Sequence, residues 1–165
     1  MDEALIEYRQ ALTGDLTAVE KFLTPFMNGS QLLPRTTAEL ELLLKHGFIA
    51  EQAGQVVGFA AVEVYSRKMA EIQCLAVSQL HQRRGIGRVL VNQCVQRAKE
   101  LKIVEVMAIS SSEDLFRACG FDYALPNQKR ALFVQPEHLA DSAPEMPLAD
   151  SVKLQEPAVN PHFID

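Results

Sequence analysis

The chain has 165 residues, is 48% hydrophobic and carries a formal net charge of −5, so it is the length of one ordinary domain and can bury a sizeable core. It holds no apolar run long enough to span a bilayer, and its acidic start, MDEALIEYRQ, lacks the basic and apolar regions of a secretion signal. Cys74, Cys94 and Cys119 are odd in number and unpatterned in spacing, which argues against a disulfide framework or a metal site and fits a reducing cytoplasm.

The charge is uneven. Residues 1–135 balance 15 basic against 15 acidic side chains, whereas residues 136–165 hold one lysine, six acidic residues and five of the eight prolines. The sequence therefore reads as a neutral globular domain over 1–135 and a Pro-rich acidic tail over 136–165, too poor in large apolar residues to offset its ordering entropy. A neutral domain carries no general attraction to nucleic acid. Neither a nucleic-acid nor a membrane partner is expected, and assembly as a homodimer stays open.

In chain order, ALIEYRQ reads as a strand running into a turn at Gly14, with Asp15 or Thr17 capping the helix LTAVEKFLTPF. Leu16, Val19, Phe22, Leu23 and Phe26 fall at helical spacing in it. Asn28-Gly29 and Pro34 break the chain before TAELELLLKH, a second helix opened by Thr36 to Glu39 and closed by Gly47. FIAEQ and QVVGFAAVEVY form a hairpin at Ala53-Gly54, and AEIQCLAV, residues 70–77, is a further strand. GIGRVLVNQCVQRAKELK is an amphipathic helix. KIVEVMAI follows as a strand, SSEDLFRACG as a short helix, and FDYAL with RALFVQ as a last pair of strands. An antiparallel meander followed by a βαβ crossover is a mixed α/β (α+β) order.

The chemistry concentrates in QRRGIGR, residues 82–88. A helix start leaves its first backbone N–H groups without partners and carries partial positive charge, so it suits a phosphate. Gly85 and Gly87 remove the Cβ atoms that would hold an anion off, and Arg83, Arg84 and Arg88 add charge. The pattern is not a dinucleotide fingerprint, because Leu90 stands where a third glycine is required, and the Gly-Lys-Ser/Thr of a P-loop is absent.

EIQCLAV, then QRRGIG opening an amphipathic helix, then a strand and LFRACGF, together resemble the GNAT superfamily of acyl-CoA-dependent N-acetyltransferases. YRQALTGDLTAVEKFL is similar to that family's first strand and helix, and the resemblance runs from residue 4 to about 135. The stretch LLPRTTAELELLLKHGFIAEQAGQVVGFAAV, with EIQCLAV and DYALPNQKR, further resembles the acetyltransferase domain of N-acetylglutamate synthases. The resemblance implies a central, mostly antiparallel mixed sheet that splays into a V between strands 70–77 and 103–110. It implies acetyl-CoA as co-substrate, with no metal, held by backbone at Leu75, Ala76 and Val77 and by Gln82, Arg83, Arg84, Gly85, Ile86, Gly87 and Arg88.

Acetyl transfer needs a neutral amine, so a carboxylate near the thioester must take a proton. Glu71, at the start of its strand beside the apolar Ala70 and Ile72, is the expected base. Many family members place a tyrosine acid where Phe116 stands, and phenylalanine has no proton to give. By resemblance to the glutamate-acetylating branch, Ser110 is the substitute acid, while Ser112 is expected to cap the following helix. Cys74 reads as a small buried residue rather than a nucleophile. Arg35 matches a position that contacts the substrate carboxylate in that branch. FVQPEH, with Glu137 and His138, departs from the branch's basic last strand. The reading is an acetyltransferase acting on the α-amine of a small amino acid, glutamate first. A protein N-terminus, a lysine or a polyamine as acceptor, or a non-catalytic acyl-CoA-binding module, stay open beside it.

Overall fold

The computed structural model describes residues 5–123, so the expected strand pair FDYAL and RALFVQ, and the tail over 136–165, lie outside the described residues apart from 121–123, which form no strand. Five strands form one sheet in the order β1 (Ile6–Gln10), β2 (Gly47–Gln52), β3 (Gln55–Val64), β4 (Met69–Val77) and β5 (Glu105–Met107). The first four pair antiparallel and β5 joins β4 in parallel, across the helix that intervenes between them in the chain. Helices α1 (Leu16–Asn28) and α2 (Thr37–Leu44) pack on one face, and α3 (Ile86–Glu100) and α4 (Glu113–Ala118) on the other.

Each face has its own core. On the α3 side Val62, Ala70 and Ile72 meet Leu90, Val91 and Cys94; on the other, Ile49, Phe59 and Ala61 meet Val19, Leu23, Leu40 and Leu44. Strand alternation does not run unbroken through β4. Its pairing with β3 slips between Phe59 and Ala61, and Cys74 adopts a left-handed φ of 54°. Ala70 and Ile72 consequently face α3, while Cys74 and Ala76 face α1 and α2.

Several expected boundaries move, each for a local reason. Gly47 does not close α2, which ends at Leu44, but begins β2; a Cβ there would lie 2.9 Å from the Phe59 ring. Asp15 stands at the N-cap of α1 without capping it, because its carboxylate is taken by Arg9 at 2.7 and 2.9 Å and by the Leu12 amide at 2.7 Å. α2 does open where Thr36 to Glu39 place it, and Thr36 and Glu39 form a capping box there, the Thr36 amide donating to Glu39 Oε2 at 2.7 Å. The strand expected over 103–110 shrinks to three residues because it leaves β4 almost at once. The helix expected over 111–120 shrinks to six, and no helix among the described residues is long and apolar enough to cross a membrane.

Candidate active site

The cradle is built by close packing and an open turn. Gly58 on β3 lets α3 settle on the sheet: a Cβ there would lie 3.0 Å from both Ile86 Cγ2 and Leu90 Cδ1. Gly85 precedes the helix at φ 82°, with nothing within 4 Å of where its Cβ would point. No side chain caps this end. The helical ladder begins with the Val89 amide donating to the Gly85 carbonyl at 3.1 Å, so the amides of Ile86, Gly87 and Arg88 have no partner within the helix. Those donors, with Arg83 and Arg88 beside them, fit a diphosphate.

β5 pairs with β4 only from Met69 to Glu71, so the β4 edge from Ile72 onward is released from its parallel neighbour. The two strands part there, and the V opens into a cleft of about 1230 Å³. Leu75, Ala76, Val77, Gln82, Arg83, Gly85, Ile86, Gly87 and Arg88 line it, as do Glu71, Ser110 and Arg35. Every expected site residue but one therefore shares a single cleft. The exception, Arg84, stands between two left-handed residues, Arg83 and Gly85, where the chain reverses, and does not line the cleft.

Glu71 is 7% exposed and is the one charged side chain buried among the described residues. A buried carboxylate needs partners, and Glu71 Oε2 accepts the Tyr65 hydroxyl at 2.6 Å. That hydroxyl in turn accepts from Gln73 Nε2 at 3.3 Å, and Gln73 Oε1 accepts from Arg35 Nη2 at 2.8 Å. Tyr65 is half exposed, and desolvation of its hydroxyl first, with the bond to Glu71 next, pushes it up to about 12. Tyr65 and Gln73 are absent from the sequence reading. Tyr65 follows β3 and reaches Glu71 across the turn into β4, a contact that no spacing rule shows.

Arg35 is held by its loop as well as by Gln73. Its amide donates to Met27 Sδ at 3.4 Å, and its Nη1 lies 3.8 Å from Glu39 Oε1. The Nε is buried with no partner. A guanidinium offers five donors in a planar fork, so this cleft-lining arginine has hydrogen-bonding capacity left over.

Phe116 is 7% exposed at the cleft wall, stacked edge-on against Phe121 with centroids 5.2 Å apart. Ser112 takes the N-cap place of α4 but makes no side-chain cap bond, which corrects the capping expected of it. Ser110 Oγ instead accepts the Ser112 amide at 3.0 Å, leaving its own proton free to be donated. Burial pushes the Cys74 thiol up against the pull of Arg35, so it remains a neutral thiol, as a small buried residue should. Among the described residues no His, Cys, Asp and Glu side chains gather as a metal site would require.

A mixed sheet that splays beside an uncapped helix start, with a buried carboxylate in the same cleft, defines an acyl-CoA-dependent acyltransferase. The chain belongs to the acetyltransferase (GNAT) family, whose profile matches residues 16–121, and it is an N-acetyltransferase that uses acetyl-CoA. It is 31% identical over 134 residues to the amino-acid acetyltransferase of Neisseria meningitidis serogroup A, an alignment covering 78% of this chain but 31% of that protein. It is 28% identical over 113 residues to an uncharacterized N-acetyltransferase of Chlorobaculum tepidum, covering 68% and 73% of the two chains. Among solved structures, N-acetylglutamate synthase from Neisseria gonorrhoeae, complexed with coenzyme A and N-acetyl-glutamate, matches at 30% identity and a TM-score of 0.62. That match covers 71% of this chain and 28% of the synthase. A Mycobacterium tuberculosis protein in complex with CoA matches at 25% identity and a TM-score of 0.66, covering 79% and 77% of the two chains. The chain thus spans about a third of the Neisseria proteins it resembles.

Proposed function

We propose that the protein acetylates the α-amine of a small amino acid, with L-glutamate the first candidate. One observation carries this reading. Arg35, with an unpartnered buried Nε, shares a cleft and a hydrogen-bond chain with the buried Glu71. An amino acid presents a carboxylate and an amine a few ångströms apart, and the two side chains suit one each. The amino-acid acetyltransferase relatives support the same acceptor class. The three free cysteines support a reducing compartment such as the cytoplasm.

When bound, acetyl-CoA supplies a thioester carbonyl for the amine to attack, its C–S bond breaking as the new C–N bond forms. The amides of Ile86, Gly87 and Arg88 hold the diphosphate, and the released edge of Leu75 to Val77 orients the pantetheine arm. Glu71 takes the amine's proton on Oε1, since Oε2 is occupied by Tyr65. Ser110, whose Oγ already accepts from Ser112, donates its proton to the departing thiolate. Arg35 fixes the acceptor's carboxylate, which would otherwise enter a partly desolvated site unpaired.

The test compares an amino acid with its amide as acceptor for the wild type, following release of free thiol from acetyl-CoA. The acid is expected to be the better substrate. Arg35→Ala should raise its Michaelis constant by about tenfold or more, the worth of a hydrogen bond to a charged group, with little change for acetyl-CoA. Equal rates for acid and amide would show that no carboxylate is read, and would move the acceptor to a peptide or polyamine.

A further inference from the structure

We propose that Tyr65 and Gln73 are positioning residues that join the acceptor-reading arginine to the general base in one directed hydrogen-bond chain; the proposal rests on Glu71 being that base. The direction of the chain is fixed by chemistry. A guanidinium can only donate, so the Gln73 amide must turn its oxygen to Arg35, at 2.8 Å. Its nitrogen then faces the Tyr65 oxygen at 3.3 Å, and that oxygen must accept. The single proton of the Tyr65 hydroxyl is left to donate to a carboxylate. Glu71 Oε2 lies at 2.6 Å and Glu63 Oε2 at 3.3 Å, so Glu71 receives it.

Three things follow for the base. One oxygen of Glu71 is held, which pins the carboxylate plane and leaves the other to meet the amine. The held oxygen meets a neutral donor, since Tyr65 keeps its proton far above neutral pH. And a positive charge two links away polarises the chain toward Glu71. The charged and titratable groups around it are Glu63, its cross-strand partner on β3, Tyr65 beyond the end of β3, and Arg35 through Gln73 from the loop ahead of α2; β5 offers only the uncharged Met107 opposite.

The experiment measures kcat and Michaelis constants against pH for wild type, Tyr65→Phe, Gln73→Leu, Glu71→Gln and the double variant Tyr65→Phe/Glu71→Gln. Tyr65→Phe should lower kcat at neutral pH by about tenfold, the lower end for a donor to a charged group because the ring is half exposed. The acetyl-CoA Michaelis constant and the protection of the fold by coenzyme A should not change. Gln73→Leu should lower kcat in the same way and also raise the acceptor's Michaelis constant, because Arg35 loses its anchor. In the Glu71→Gln background Tyr65→Phe should cost less than about twofold, since its effect runs through the missing carboxylate. A slow Glu71→Gln beside a Tyr65→Phe with wild-type kcat would overturn the chain and leave the base standing. An equal Tyr65→Phe effect with and without Glu71 would also overturn it. Wild-type turnover in Glu71→Gln would remove the base and the chain with it.

Discussion

Replacing Gly58 with alanine should damage the cofactor site from beneath, although Gly58 itself does not line it. The added Cβ would stand 3.0 Å from Ile86 Cγ2, 3.0 Å from Leu90 Cδ1 and 3.2 Å from Ala50 Cβ. Carbon atoms prefer about 3.5–4.0 Å, so each contact is short by roughly half an ångström. None of the three can swing clear. Ile86 Cγ2 branches directly from Cβ, Ala50 has no torsion, and Ile86, Leu90 and Ala50 are 2%, 0% and 0% exposed. The first turn of α3 must therefore lift. Overpacking of this kind costs about 1–3 kcal/mol, and for a domain of this size that corresponds to a fall of about 4–12 °C in Tm. Because Ile86 opens the helix, the same lift misplaces the amides that meet the diphosphate, and the Kd for coenzyme A should rise at least about fivefold, roughly 1 kcal/mol. Differential scanning fluorimetry and isothermal titration read the two effects. Gly54→Ala is the control: at φ 76° it pays backbone strain, but nothing lies within 4 Å and it does not line the cleft, so Tm falls while the coenzyme A Kd holds. A Gly58→Ala protein with wild-type Tm and wild-type coenzyme A affinity would refute the packing argument.

Coenzyme A should raise the Tm of the wild type by mass action, and Gly85→Glu should abolish that rise by setting a negative side chain in the cradle; a full rise in the variant would dismiss the cradle. Asp15, held below the usual carboxylate range chiefly by its bond to Arg9, contributes stability that is complete above its ordinary value of 3.8 and is lost as pH falls into the acid range. Asp15→Asn should therefore be less stable than wild type at pH 7 by about 1–2 kcal/mol in urea unfolding, and the two curves should converge below about pH 4; a pH-independent gap would contradict this.

What the sequence discloses depends on how local the cause is. The turn at Gly85, the Thr36–Glu39 box and the amphipathic α3 are all set within a few residues, and each stands where the spacing puts it. The V is another matter. KIVEVMAI has the composition of a strand throughout, yet only Glu105–Met107 pairs, because pairing needs a partner and β4 has moved away. EIQCLAV alternates only as far as Cys74 and then runs apolar through Leu75, Ala76 and Val77, yet no residue type in it marks the left-handed Cys74. Glu71 and Arg35 were legible as residue types suited to a task. The Tyr65 and Gln73 links between them were not, since they arise only when β3 folds back beside β4 and the loop ahead of α2 closes over both.

The slip at Cys74 also shapes how this enzyme can diversify. Before it, Glu71 and Gln73 project toward the face that carries α1 and α2; after it, Leu75 and Val77 are turned to the core that carries α3. One strand thus serves two clients whose side chains pack into separate cores. On the proposed reading, the loop over residues 29–36 meets the acceptor while α3 holds the donor from the opposite core, yet Ser30, Arg35 and Gly87 line one cleft, so an exchange of that loop would be felt at both ends of the reaction.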